Sequence, residues 1–241
     1  MTGEAHIFTH DVPVLLDSAM KRLKHRSALK IIDIGCGEGA VLMSLGWKGY
    51  LHNAERIVGV DLSEERTGVL RQYIPNAESI ISDACNIPQL QDSSFDLIIC
   101  SQLIEHLPSQ KPLIREMKRL LRDDGLLYLS SVARRPTGFW IYDRNGEPRL
   151  SPEHIFEFPS IESMLDLVKD EGMIIEDAFA KPLRYPLIDM ALRMLEYRRL
   201  MSSDKIRTFF LRNGLEGLRI LRVPIPGYYW IETLARKKSR C

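Results

Sequence analysis

The chain has 241 residues, of which 45% are hydrophobic, enough to bury the core of one large domain. A formal net charge of +1 argues against a nucleic-acid-binding protein. No run of 18 apolar residues could span a membrane, and residues 1–10 lack the basic-then-apolar pattern of a secretory signal. The four cysteines form no C-x-x-C pair, so no metal site is predicted, and free thiols indicate a cytoplasmic protein.

Charge is unevenly distributed along the chain. The segment from Arg184 to Cys241 carries 13 Lys or Arg against 5 Asp or Glu, and the rest of the chain is net acidic. Such a segment is either a solvated helical face with a basic tail or a surface for peripheral contact with a membrane or another anionic partner. The sequence leaves both interpretations open.

A strand, a glycine-rich turn and a helix follow one another near the start of the chain. A first amphipathic helix, predicted to begin near Pro13, precedes them. The apolar run Ile31–Ile34 is typical of a buried parallel strand, and an amphipathic helix is predicted from Ala40. Between them lies Gly35-Cys36-Gly37-Glu38-Gly39. This order is the nucleotide-binding start of a doubly wound sheet.

The glycines alone do not identify the ligand. The spacing from Gly35 to Ala40 also fits the dinucleotide fingerprint, so NAD(P) and FAD are alternatives. A pyrophosphate binds free N–H groups at a helix N-terminus, where negative side chains oppose it. Glu38 lies inside the turn and Asp33 just before it. Two carboxylates suit a ligand that carries an ammonium and a sulfonium.

Two further strands are predicted to end beside this turn. The strand Arg56–Asp61 ends on an acid that can accept hydrogen bonds from both hydroxyls of a ribose. Alternatively, Asp61 caps the next helix, which is predicted to start at Leu62. The strand Ser79–Ser82 is followed directly by Asp83.

The fourth strand, over Ser94–Cys100, leads into the segment Ser101-Gln102-Leu103-Ile104-Glu105-His106-Leu107. Ser101 stands at the carboxyl end of this strand, where open α/β sheets bind ligands. His106 is a candidate general base because imidazole titrates near neutrality. The alternative is a purely structural role for this histidine.

The second half of the chain continues the alternation and then changes character. Residues 134–146 are predicted to form a loop that either carries acceptor specificity or is held to the core by its aromatic side chains. Tyr142 and Asp143 in this loop and His154 beyond it are candidate bases. The other predicted elements are a helix over 109–121, a turn over 122–125 with Gly125 at positive φ, strands over 126–132, 173–179 and 228–235, and helices over 160–171, 184–199 and 205–221.

Two motifs carry a resemblance to a known family. The series Asp33, Gly35, Gly37 and Gly39 resembles the first motif of the class I S-adenosylmethionine (SAM)-dependent methyltransferases, an acid followed by G-x-G-x-G. The F-D-x-I…E-H-L pattern over residues 95–107 resembles their fourth motif, as in the type 11, UbiE-like group. The resemblance covers residues 31–132.

The resemblance implies an α/β fold: a Rossmann-like, doubly wound sheet of seven strands, mostly parallel with an antiparallel last strand, in a three-layer sandwich. It implies one domain over 1–241, with a helical insertion at about 184–223 between the last two strands. It assigns Asp61 to the ribose of SAM and Asp83 with the N–H of Ala84 to the adenine edge. The full implied cofactor set is Asp33, Gly35, Cys36, Gly37, Gly39, Asp61, Leu62, Asp83, Ala84 and Ser101.

The implied reaction is methyl transfer from SAM. The donor is already activated, so the protein mainly supplies alignment and a dry site, with a base for some acceptors. We expect the acceptor to be a small molecule or a lipid-like metabolite, methylated on oxygen, nitrogen or carbon. An NAD(P)-dependent oxidoreductase and a non-catalytic SAM-binding module are the alternatives.

Overall fold

The protein is represented by a computed structural model, which describes residues 12–138, 142–144, 147–151, 153–186 and 222–238. Within these ranges helices and strands alternate through the first half of the chain. In chain order the elements are α1 (Val14–Leu23), β1 (Leu29–Ile34), α2 (Ala40–Trp47), β2 (Ala54–Asp61), α3 (Glu64–Tyr73), β3 (Ala77–Ile81), β4 (Phe95–Ser101), a 3₁₀ helix (Ile104–His106), α4 (Lys111–Leu120), β5 (Leu121–Arg134), β6 (Tyr142–Arg144), β7 (Glu147–Arg149), α5 (Ile161–Asp170), β8 (Met173–Pro186) and β9 (Arg222–Lys237).

Seven of these strands form one sheet in the order β3-β2-β1-β4-β5-β9-β8. Strands β1 to β5 are mutually parallel, and β9 runs antiparallel to both β5 and β8. The predicted fold class is therefore confirmed. Strand order reverses between β1 and β4, and open α/β sheets bind ligands at the carboxyl ends of the strands at such a switch point.

Helices cover both faces of the sheet because each presents one apolar side. On one face Leu16 of α1, Leu45 of α2 and Leu70 of α3 are fully buried in a common core. On the other face Met117 of α4 and Val168 of α5 are fully buried in a second core. The result is the expected three-layer arrangement, with the sheet as its middle layer.

The predicted turn over 122–125 is wrong. These residues belong to β5, and Gly125 is outside the left-handed region. A Cβ at Gly125 would lie 3.0 Å from the carbonyl oxygens of Phe95 and Asp96. Glycine is required there because the backbone of β4 approaches closely, and not because of its φ angle.

The region after β5 also differs from the prediction. Tyr142–Arg144, within the segment predicted as a loop, pair with Glu147–Arg149, directly after that segment, as a two-stranded antiparallel ribbon. Residues 184–186 belong to β8 and pair with β9, so the helix predicted to begin at Arg184 is wrong at its start. Residues 187–221 of the predicted helical insertion lie outside the described residues, and its last two residues, 222 and 223, belong to β9.

Across the described ranges, every helix is too short or too polar to cross a lipid bilayer.

Candidate functional site

The turn after β1 is built on three left-handed glycines. Gly35, Gly37 and Gly39 have φ values of +77°, +52° and +86°, a region in which a side chain is strained. A Cβ at Gly35 would also lie 2.8 Å from Leu103 Cδ2, and one at Gly39 would lie 2.4 Å from Leu70 Cδ1. The turn therefore requires glycine at these positions both for its backbone angles and for its packing.

The backbone N–H groups of this turn are largely engaged within the protein. Gly35 and Cys36 donate to the carbonyl oxygen of Val60 (2.8 and 3.0 Å), Gly37 donates to Asp61 Oδ2 (2.9 Å), and Gly39 donates to the carbonyl oxygen of Cys36 (2.9 Å). These are the groups that a dinucleotide site would offer to a pyrophosphate. The turn therefore lets a ligand approach the backbone closely, but it leaves few unused N–H donors.

Asp61 lies at the end of β2, against the turn. Its Oδ2 accepts the Gly37 N–H, and its Oδ1 accepts the N–H of Ser63 at 3.0 Å. The helix α3 is capped by the hydroxyl of Ser63, which accepts the N–H of Arg66. The alternative role of Asp61 as helix cap therefore belongs to Ser63, and the Asp61 carboxylate, 12% exposed, borders the turn.

Arg66 is a site residue that the sequence did not reveal. Its Nη1 lies 4.0 Å from Asp61 Oδ2, and a Cβ at Gly37 would lie 2.3 Å from its Nη2. The guanidinium therefore lies over the glycine turn and partly offsets the negative charge of Asp61. In the sequence, only its place in the first turn of α3, five residues after Asp61, pointed to this role.

Asp33 is buried at the carboxyl end of β1, with 1% of its surface exposed. Within the described part of the chain, its Oδ2 has no hydrogen-bond partner. Burial, and then the charge of Asp61, raise the pKa of Asp33 to about 7. A cationic group on a ligand would supply the missing partner.

The β3 side of the site offers an apolar surface and an acid. Leu62, directly after Asp61, is 74% exposed. Asp83 is exposed, and its Oδ1 accepts the N–H of Cys85 at 2.8 Å, whereas Ala84 is buried. An exposed apolar side chain of this size beside the glycine turn is suited to contact the apolar part of a ligand.

The carboxyl end of β4 borders the candidate site on the side away from β3. Ser101 Oγ and Ser130 Oγ share a hydrogen bond of 2.9 Å. Gln102 has φ +55°, and its buried Nε2 lacks a hydrogen-bond partner among the residues that the structure describes. A strained residue with an unpaired amide at a strand end is typical of a ligand site.

A polar cluster lies beyond β4, where Glu105, His106 and His154 meet. One ligating atom from each lies within 4.8 Å of the other two, and the two imidazole rings are T-shaped with centroids 5.0 Å apart. Burial, and then His154, lower the pKa of His106. Burial raises the pKa of Glu105 to about 7. His106 and His154 were both predicted as candidate bases, but their wide separation along the chain hid their proximity from sequence analysis, and Glu105 was not predicted.

The segment that carries His154 is fixed to the 3₁₀ helix by its backbone. The N–H groups of Ile155 and Phe156 both donate to the carbonyl oxygen of Glu105 at 3.0 Å. His154 itself is 4% exposed. The other candidate bases, Tyr142 and Asp143, lie in β6 paired with β7, and their side chains are outside the described part of the structure.

Comparison with known proteins agrees with this geometry. Residues 32–129 match the family model for a methyltransferase domain. A ubiquinone biosynthesis O-methyltransferase from Xanthomonas oryzae pv. oryzae (strain PXO99A) is 31% identical over 133 residues, which is 53% of this chain and 52% of that protein. The chain thus spans about half the length of such curated relatives.

Solved structures share the fold at low sequence identity. The [4+2]-cyclase SpnF has a TM-score of 0.65 at 19% identity, over 94% of this chain and 81% of that one. A geranyl diphosphate methyltransferase in complex with SAM has a TM-score of 0.57 at 13% identity, over 92% and 84%. At these identities the structures show a shared fold, and the predicted resemblance is confirmed for the methyltransferase domain over residues 32–129.

Proposed function

We propose that this chain, whose residues 32–129 match a methyltransferase domain, transfers a methyl group from SAM to a small-molecule acceptor. The observation that carries the proposal is the turn at Gly35–Gly39. The N–H groups of Gly35, Cys36, Gly37 and Gly39 are used internally, while the carboxylates of Asp33 and Asp61 border the turn. Such a site favours a ligand with an ammonium and a ribose over one with a pyrophosphate.

Each proposed cofactor contact follows from where its residue lies. Asp61 would accept hydrogen bonds from the ribose hydroxyls, and the unpaired Oδ2 of Asp33 would accept from the ammonium. Leu62 would contact the adenine face, and Asp83 with Ala84 would bind its edge. Ser101 would border the methionyl part. When bound, SAM supplies an activated methyl group, and the protein aligns it in a site that excludes water.

Ile87, four residues after Asp83, has no apolar surface to offer to an adenine. Ile87 is fully buried in the core beneath α4, and its N–H donates to Glu116 Oε1 at 2.7 Å. Leu62 is the better candidate because its side chain is accessible.

For the acceptor, we propose a hydroxyl group on an amphipathic or lipid-like small molecule. The support is the names of two similar proteins, an O-methyltransferase of ubiquinone biosynthesis and a geranyl diphosphate methyltransferase, both of which refer to small molecules. Tyr142 remains a candidate base. His154 is a poor one because it is buried and its Nδ1 is held by Glu157 at 2.9 Å.

Two other functions are carried as alternatives. The Arg66 guanidinium over the turn weakens the charge argument against a dinucleotide, so NAD(P)-dependent oxidation stays open. The [4+2]-cyclase SpnF has the same fold, so the fold alone does not establish methyl transfer, and a non-catalytic SAM-binding module is the second alternative.

The test is incubation of the purified chain with SAM carrying a labelled methyl group and a panel of hydroxylated quinone precursors, phenols and prenyl alcohols. We expect the label in one product class by mass spectrometry, with S-adenosylhomocysteine formed in equal amount. The same assay with Gly37→Val is the control, because a side chain there would enter the space of the turn. Tight SAM binding with no labelled product from the panel would favour the non-catalytic module.

A further inference from the structure

We propose that Glu105, His106 and His154 form a binding site for a divalent transition-metal cation of the zinc class. The site would lie where the 3₁₀ helix meets the segment that follows β7. The proposal does not rest on methyl transfer, and it revises the expectation of no metal, which considered cysteine ligands alone.

The two histidines are held in the same tautomer by their partners. His106 Nδ1 lies 3.3 Å from the carbonyl oxygen of Glu153, and His154 Nδ1 lies 2.9 Å from Glu157 Oε1. Both partners are acceptors, so each neutral ring carries its proton on Nδ1. Each Nε2 is then a lone-pair nitrogen, which is the form in which imidazole binds metals.

Glu105 adds a carboxylate oxygen to these nitrogens. Its Oε2 accepts the Ser131 hydroxyl at 2.9 Å, but its buried Oε1 has no hydrogen-bond partner in the described ranges. One potential ligand atom from each of the three residues lies within 4.8 Å of the other two. Oε1 of Glu105 accepts no hydrogen bond in the described ranges. A buried carboxylate oxygen without a donor is costly, and a cation bound beside it removes that cost.

The charges around the cluster also favour a cation. Glu105 and Glu157 are both deeply buried, and Glu157 Oε2 lies 3.4 Å from Arg134 Nε. Arg134 therefore offsets Glu157, whereas Glu105 forms no ion pair with a cationic side chain among the residues that the structure describes. The contact of Glu157 with His154 Nδ1 also matches the carboxylate–histidine–metal arrangement, in which a second carboxylate orients the ligand ring.

The donor set indicates the class of metal. Two imidazole nitrogens and one carboxylate oxygen suit zinc and its neighbours such as cobalt and iron, and not magnesium or calcium, which prefer oxygen. Ligands of tetrahedral zinc, at roughly 2.0–2.1 Å from the ion, are about 3.3 Å apart, so this cluster would contract on binding. His106, the most exposed of the three, is the residue most able to move. Three protein ligands leave a fourth position open.

The test is calorimetric titration of the EDTA-treated full chain with zinc chloride, in the presence of a competing chelator. We expect one zinc per chain with a Kd in the micromolar range or tighter. Glu105→Gln and His154→Asn should each weaken binding by more than about 100-fold, and Glu157→Gln, which leaves every ligand in place, by about 10–100-fold. His52→Asn is the matched control, because His52 is exposed and contacts only the carbonyl oxygen of Gly49 among the contacts described.

The visible absorption of bound cobalt gives a second readout, which would not change if the cluster had only a structural role. Cobalt bound to the wild-type chain should show intense visible bands typical of tetrahedral coordination, and the His154→Asn variant should lose them while its circular dichroism stays native. Absence of saturable zinc binding, or one-to-one binding that persists in both Glu105→Gln and His154→Asn, would overturn the proposal. In that case a proton shared by Glu105 and the imidazoles satisfies the cluster.

The same preparations separate this proposal from the proposed function. SAM binding by the metal-free chain without zinc binding would overturn the metal site alone. Zinc binding with the expected variant pattern, but without SAM binding, would overturn the methyltransferase proposal alone.

Discussion

Replacement of Asp61 by asparagine tests the proposed ribose contact while it nearly preserves shape. In the structure the carboxylate accepts the N–H of Gly37 at 2.9 Å and that of Ser63 at 3.0 Å. The asparagine side chain has one acceptor oxygen and one NH₂ group, so it can keep one of these bonds and must place a donor against the other N–H.

The magnitude follows from the groups that change. A hydrogen bond to a charged group contributes about 1.5–3 kcal/mol, so the loss of one such bond should destabilise the folded chain by about that amount. The NH₂ group of the introduced asparagine would also be unable to accept from a ribose hydroxyl. Losing one such contact with the cofactor, again about 1.5–3 kcal/mol, corresponds to roughly a 10–100-fold increase in Kd.

Calorimetric titration with SAM and S-adenosylhomocysteine measures this change, and urea unfolding measures the stability separately. Asp166→Asn is the matched control, because Asp166 is an exposed residue of α5 that pairs only weakly with Lys169 at 3.2 Å. Equal SAM affinity in Asp61→Asn and wild type, with the variant folded, would refute the ribose assignment.

Three further outcomes follow from glycine geometry and from one buried acid. Gly39→Ala should lower the free energy of unfolding by about 1–3 kcal/mol, because φ is +86° and the new Cβ would lie 2.4 Å from Leu70 Cδ1. Gly68→Ala in α3 should instead raise it by about 0.5–1 kcal/mol, because nothing lies within 4 Å of the new Cβ; urea unfolding of both variants checks the contrast, and equal effects would contradict it. The pKa of Asp33, about 7 when folded against about 3.9 when unfolded, means that the folded state binds more protons between these values, so stability should rise as pH falls from about 8 to about 5. Asp33→Asn should reduce this slope, and a slope equal to that of wild type would contradict the assignment.

Local sequence patterns predicted the cofactor half of the fold well. The strand before Gly35, the helix after Gly39 and the acid at the end of β2 lie within a short stretch, and each depends on neighbours along the chain. The glycines could be predicted because left-handed backbone angles leave few other residue types possible.

Contacts between distant residues account for most of what the sequence did not predict. Gly125 is required by the approach of β4, and residues 184–186 are strand because they pair with β9, so neither could be inferred from its own neighbours. The strands β6 and β7 flank Asn145-Gly146, a dipeptide that favours hairpins, and this local signal was missed.

The polar residues of the site also divide into those predicted from their neighbours in sequence and those placed by contacts between distant residues. Asp61 and Asp83 follow strands and were predicted from that position. Arg66 reaches the turn through the placement of α3, and the meeting of Glu105 with His154 depends on how the segment after β7 packs. Such a meeting has no fixed spacing in sequence.

The most direct test of the central claim is calorimetric binding of SAM, S-adenosylhomocysteine and NADPH to the purified chain. The engaged N–H groups of the glycine turn and the carboxylates of Asp33 and Asp61 predict binding of the two adenosyl ligands in the micromolar range or tighter, and no response to NADPH. Binding of NADPH, with no response to either adenosyl ligand, would contradict the account.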